Sequence, residues 1–222
     1  MLARHGETVF NVEGRWQGQS DSPLTPRGLA QARQLAVALA DERLAAVYSS
    51  DLGRAAHTAH EVAALHHLEV AHDVRLREID VGLWTGLSRA QIEAFDADGL
   101  RAWATTPARM RMPRGESLAQ AQQRALAFFA ERMPAHQGQT VAVITHGAIG
   151  QAILIAAMGR SLDDLWLKER LDNCQISRLE WTARAGLRLI ELCDVRHLAD
   201  VGTLRLWRTT DVEPNEPDAD VA

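Results

Sequence analysis

The sequence predicts an α/β protein: a three-layer α/β/α sandwich with a mainly parallel sheet. Three observations predict it. Short apolar runs alternate with helical segments along most of the 222 residues, which is the pattern of strand–helix–strand units. Two of those runs lead straight into a histidine and a glycine, His5-Gly6 and His146-Gly147. Turns at the carboxyl ends of parallel strands, where such sheets bind ligands, would look like this. The last part alternates as a hairpin, Gln175 to Trp181 and Leu187 to Cys193, about Ala185-Gly186.

Taken in order, Met1-Leu2-Ala3 reads as the first strand. A central parallel strand needs about five residues, so this one reads as clipped, or the true start as lying upstream. Residues 9–24 read as a polar loop without helical or strand period. Thr25-Pro26 opens a helix as cap and first turn, with Leu29, Ala32, Leu35, Ala36 and Leu39 on its buried face. Ala45 to Tyr48 is a short buried strand ending in Ser49-Ser50; Asp51 is expected to cap the next helix, with Arg54 in its first turn. Val70 to Val74 reads as another strand. Two capping boxes follow, Ser88 with Gln91 and Ser117 with Gln120. The second is expected to start the longest helix, burying Leu118, Ala121, Ala125 and Phe129. Thr140 to Ile144 is the clearest buried strand, followed by an apolar helix over about 148–158. Residues 1–207 read as one domain and 208–222 as an acidic, disordered tail.

Composition limits the partners. Hydrophobic residues make up 46% and charged residues 24%, as in an ordinary globular domain. A net charge of -5 argues against nucleic acid, which demands excess positive charge. No apolar run reaches membrane-spanning length, and a cytoplasmic location is the default expectation. Cys174 and Cys193 read as buried free thiols. The apolar hairpin over 175–193 could pair two subunits as a homodimer.

The chemistry centres on Arg4-His5-Gly6-Glu7-Thr8 with Asn11. Histidine can attack phosphorus and carry the phosphoryl group covalently, and arginine offers donors in a fork that matches phosphate oxygens. Phosphoryl transfer is mostly positioning and neutralisation of charge. Arg4, Arg54 and a protonated His146 would supply that around His5. Glu78, on the loop Leu76 to Gly86, is the best placed acid for the leaving oxygen and then a base for the attacking water. Asp80 is its rival. With arginine in the place of a metal ion, the expectation is no metal and no cofactor.

Together, Arg4-His5-Gly6-Glu7-Thr8 with Asn11, Ser49-Ser50 with Arg54, Leu76-Arg77-Glu78 with Gly82, and Thr145-His146-Gly147 resemble the histidine phosphatase superfamily, the phosphoglycerate mutase-like fold. The resemblance covers roughly residues 4 to 198. It implies His5 as the phosphorylated nucleophile, Arg4, Arg54 and His146 as the phosphate pocket, and Glu78 as proton donor. It also implies that Asn11 and the Gly147 backbone touch phosphate, and that Gln17 and Gly18 lie near the substrate. The implied activity is a metal-independent phosphomonoesterase for small phosphorylated metabolites. Only 68 residues separate Glu78 from His146, which is short for the insertion of the cofactor-dependent phosphoglycerate mutases, and Gln17 stands where those usually have threonine. Arg109 to Ser117 and Asp194 to Leu198 resemble instead segments of the broad-specificity phosphatases. A mutase, and a non-catalytic member that binds phosphorylated ligands, are the alternatives.

Other residues invite a choice. Arg109, Arg111 and Arg114 could hold a second anionic group, although a solvated loop is favoured. His57, His60, His66, His67 and His72 read as surface or half-buried histidines rather than a metal site. Of the six tryptophans, Trp16 and Trp84 are the ones suspected of facing substrate.

Overall fold

The computed structural model describes residues 1–166 and 171–202. The strands are β1 (Leu2–Arg4), β2 (Leu44–Ser49), β3 (Val70–His72), β4 (Thr140–Thr145), β5 (Ile176–Thr182) and β6 (Gly186–Asp194). The helices are α1 (Val9–Val12), α2 (Pro26–Leu39), α3 (Gly53–Leu65), α4 (Arg89–Thr105), α5 (Leu118–Arg132) and α6 (Gly147–Ala157). The six strands form one sheet in the order β3-β2-β4-β1-β5-β6. The first four run parallel and the closing hairpin antiparallel.

Side chains alternate across each strand, so the sheet serves two cores. Ala3, Val47, Ala142 and Ile144 face α2 and α3 and pack on Leu35, Leu39, Ala59 and Val62. Leu2, Val141 and Val143 face the other way, toward Leu118, Phe128, Phe129, Ile149 and Ile153 of α5 and α6. Burial of these faces, at about 25 cal/mol per Å² of apolar surface, holds helices that could not stand alone in water.

Although β1 has three residues, its ladder with β4 extends one residue at each end. The Val143 amide donates to the Met1 carbonyl and the His5 amide to the Thr145 carbonyl, both at 2.9 Å. His5 is thereby fixed to the sheet. Beyond it the chain turns against the start of α2, where a Cβ on Gly6 would collide with the Gly28 carbonyl oxygen, and one on Gly28 with that of Glu7. Glycine is required at both positions for the backbones to approach.

Several sequence expectations need correction. Residues 9–12 form one helical turn, α1, closed by a Thr8–Asn11 capping box; a single turn is too short to show a period. β3 stops at His72, and Val74 enters a 3-10 turn. The longest unbroken helix is α5 with 15 residues, as expected, since the 17 residues of α4 are interrupted. Asp96 breaks the helical backbone within α4, and its carboxylate receives the Gly99 amide at 3.0 Å, so it caps the second half of a kinked helix. Asp51 does not cap α3; it pairs with Arg77. Asp21, from the preceding loop, receives the Gly53 and Arg54 amides instead. Both Ser boxes form as expected. Cys174 is a buried free thiol, and burial pushes its proton affinity up. The Cys193 side chain, residue 207 and the tail over 208–222 lie outside the described residues.

Candidate active site

β1, β4 and β2 are neighbours in the sheet, so the segments leaving their carboxyl ends meet. They surround a cavity of about 300 Å³ lined by Arg4, His5, Asn11, Gln17, Gly18, Arg54, Glu78 and Gly147. Eight of the nine expected site residues therefore face one space. His146, fully buried, lies against His5 with ring centroids 5.2 Å apart.

The His5 ring is held by both nitrogens. Nδ1 lies 2.7 Å from the Gly6 carbonyl oxygen, and the Nε of Arg54 donates to Nε2 at 3.3 Å. A carbonyl can only accept, so Nδ1 carries the hydrogen and Nε2 is the acceptor, its lone pair directed at Arg54 on the cavity wall. The neutral ring is favoured energetically as well. Burial first, then the charges of Arg54 and Arg4, hold the His5 pKa well below its ordinary 6.5.

Arg54 is nearly inaccessible and anchored from below. Its Nη1 donates to the Ser20 carbonyl (2.6 Å) and to Asp21 (3.2 Å), and its Nη2 to the Gly18 carbonyl (2.8 Å). Gly18 has a positive φ of 52°, and a side chain there would press on Val81. Arg4 donates to the Leu171 carbonyl at 3.1 Å, and its Nε has no partner. Both ring nitrogens of His146 and the Oε1 of Gln17 are likewise buried without partners. Unpaired buried polar atoms are costly; four in one neighbourhood fit a site awaiting a polar ligand.

His146 departs from expectation. With burial as the largest cause, followed by Arg54, His5 and Arg4, its pKa is held well below 6.5. Without an anion the ring is neutral rather than protonated.

Glu78 is not paired with Arg75 or Arg77, which bind Asp73 and Asp51. Its Oε2 receives the Ala148 amide (3.0 Å), and its Oε1 receives those of Ile149 (2.9 Å) and Ile79 (3.0 Å). The first turn of α6 thus grips the carboxylate. Arg124 of α5 holds the loop from behind, donating to the carbonyls of Arg75, Arg77 and Glu78 and to the Glu116 carboxylate. The rival Asp80 receives the Gly82 amide and does not line the cavity.

Some expectations fall away and some residues were missed. Arg109, Arg111 and Arg114 are exposed and do not line the cavity, in keeping with the favoured solvated loop, whereas Arg15 and Arg89 do line it. Trp84 is fully buried, with its indole N–H on Asp96, but Trp16, Trp103 and Trp166 line the cavity. Asn173, singled out by no motif, is buried and donates to the His5 carbonyl (2.9 Å) and to Asn11 Oδ1 (3.3 Å). With its Oδ1 also receiving the Thr8 amide, Asn11 keeps its Nδ2 for other use. Among the described residues no group of three or more His, Cys, Asp or Glu could hold a metal ion, and no helix is long and apolar enough to cross a membrane.

Comparison with known proteins gives the family and the fold. The model of the histidine phosphatase superfamily (branch 1) matches residues 1–192. Phosphoserine phosphatase 1 of Hydrogenobacter thermophilus is 37% identical over 200 residues, covering 90% of this chain and 94% of that protein. A Salmonella arizonae protein named "Probable phosphoglycerate mutase GpmB" is 35% identical over 206 residues, covering 89% and 93%. The solved structure of Bacillus stearothermophilus YhfR superposes with a TM-score of 0.85 at 34% identity, covering 89% of this chain and 97% of that one. The chain belongs to the histidine phosphatase superfamily. It is an enzyme of the phosphatase type and has the phosphoglycerate mutase-like fold.

Proposed function

We propose that the chain hydrolyses phosphomonoesters of small metabolites through a phosphohistidine on His5 Nε2, without metal. The carrying observation is the His5 ring itself, with Nδ1 against the Gly6 carbonyl and Nε2 turned to Arg54 in a cavity that also holds Glu78.

Arg4 and Arg54 hold the phosphoryl oxygens, joined by Asn11 Nδ2, Gln17 and the Gly147 amide, with Gly18 carrying the loop close to the substrate. The Nε2 lone pair forms the P–N bond as the P–O ester bond breaks, and protonated Glu78 gives its proton to the leaving oxygen. Water then attacks phosphorus, Glu78 takes its proton, and the P–N bond breaks to release orthophosphate. His146 is neutral in the empty site; it gains a proton once the incoming anion offsets the field of the two arginines. The negative charge brought by the substrate thereby completes the positive pocket.

Hydrolysis is preferred to mutase action because the interval from Glu78 to His146 is short for the insertion that the cofactor-dependent mutases carry there. Purified protein assayed with chelator on a panel of phosphomonoesters is expected to release phosphate. His5→Ala should lower this rate by about 10⁴-fold or more and abolish acid-labile phosphoenzyme. Isomerisation of 3-phosphoglycerate that depends on its bisphosphate would establish the mutase instead, and phosphate binding without turnover would establish the non-catalytic member.

A further inference from the structure

Beyond the phosphate end, the cavity continues into a space walled by Phe10, Trp16, Leu100, Trp103, Trp166 and Leu171. Three of these are indoles packed in sequence. Trp16 meets Trp103 at 5.7 Å and 66°, and Trp103 meets Trp166 at 5.4 Å and 70°. Trp84 supports Trp16 from the core at 5.0 Å and 84°. Edge-to-face packing of this kind is favourable in itself and holds each ring at a fixed angle. The Trp166 indole N–H is taken by the Trp103 carbonyl at 2.7 Å, which leaves that ring its apolar surface for a ligand.

Of the two further arginines that line the cavity, Arg15 and Arg89, neither is without a partner. The Nε of Arg15 pairs with Glu13 and its Nη1 with the Gly86 carbonyl, each at 2.8 Å. A carboxylate bound there would have to compete with both. The three arginines of the 109–114 loop do not line the cavity. At about 300 Å³ the cavity is at the lower end for ligand sites, enough for a phosphoryl group and one compact ring system.

We propose that the alcohol part of the preferred substrate is a flat aromatic or heteroaromatic group, seated on the Trp16–Trp103–Trp166 wall, rather than a small carboxylated chain. This rests on the phosphatase reading for the position of the phosphate but is testable without turnover. Calorimetry would compare three non-hydrolysable ligands of the wild-type protein: methylphosphonate, 1-naphthylmethylphosphonate and 2-amino-3-phosphonopropionate. The naphthyl compound is expected to bind about tenfold or more tighter than methylphosphonate, as burial and stacking of rings imply. The carboxylated compound should bind no tighter than methylphosphonate. Trp103→Leu should weaken naphthyl binding several-fold and leave methylphosphonate binding unchanged; the latter also reports that the variant is folded. Equal affinities, or the carboxylated ligand binding tightest, would overturn the assignment. A chain that binds the phosphonates in the expected order yet hydrolyses no ester would keep this inference and sink the phosphatase reading.

Discussion

At one end of the cavity the basic groups issue from a strand end or the start of a helix: Arg4 ends β1 and His5 follows it, Arg54 lies at the start of α3 and His146 before α6, while Glu78 comes from a loop that α6 grips. At the other end the wall comes from the second half of the kinked α4, a 3-10 turn over 162–166 and the loop before β5. The first region is held by main-chain ladders and charged hydrogen bonds, the second by ring-on-ring packing. The difference teaches that the sheet fixes the bond to be broken, and the irregular chain fixes which molecule carries it. Substitutions should therefore separate into those that lower every reaction and those that re-rank substrates.

Glu78→Gln gives the largest of the sharpening effects. Loss of the proton donor should cost about 10²–10⁴-fold in kcat on alkyl phosphates. It should cost far less on 4-nitrophenyl phosphate, whose leaving group needs no proton. An equal loss on both would mean that Glu78 only positions the start of α6. Next comes Arg124→Ala, which frees the backbone that presents Glu78 without touching the cavity. A displacement of the acid by about 1 Å should cost about 10–100-fold, in kcat more than KM, and with the same dependence on leaving group. A uniform loss across esters would instead indicate general loosening.

The smallest effect is one of stability with pH. Because the folded pKa values of His5 and His146 are lowered, the unfolded chain binds more protons below the ordinary value of 6.5. The stability due to the neutral rings is thus present above about pH 6.5 and lost as pH falls below it, by up to about 1.4 kcal/mol per histidine per pH unit. Thermal unfolding between pH 7.5 and 5 should show this. Sulfate, which keeps its charge over this window, should raise Tm more at pH 5.5 than at 7.5 at matched ionic strength. Trp103→Leu should leave that gap unchanged. A gap that closes in the tryptophan variant would break the division between the two ends.

That division also governs what the sequence disclosed. The charged end is legible because its basic groups lie at, or within a few residues of, the ends of apolar runs, so strand order brings Arg4, His5, Arg54 and His146 together. The aromatic wall is not legible, because Trp103 and Trp166 are 63 residues apart and neither belongs to a period that points at the other. Asn173 was missed for the same reason; only the packing of residues 171–174 on the loop after β1 reveals it. Local rules failed where a distant group did the local work. Asp51 is well placed in sequence to cap α3, yet Asp21 arrives from another loop and does so while holding Arg54. Asp96 restarts a helix within what reads as one continuous segment.

The loop from Arg15 to Asp21 belongs to both ends. Trp16 stands in the wall, and the Gly18 carbonyl, the Ser20 carbonyl and the Asp21 carboxylate clasp Arg54. Two of the three indoles therefore stand apart from the arginine clasp, whereas Trp16 is fastened to the machinery itself. A lineage retooling this scaffold for a new ester can vary Trp103 and Trp166 without touching the clasp on Arg54, although Trp103 is a core ring whose replacement must be repacked. Any change at Trp16 is inherited together with its consequences for the arginine below it.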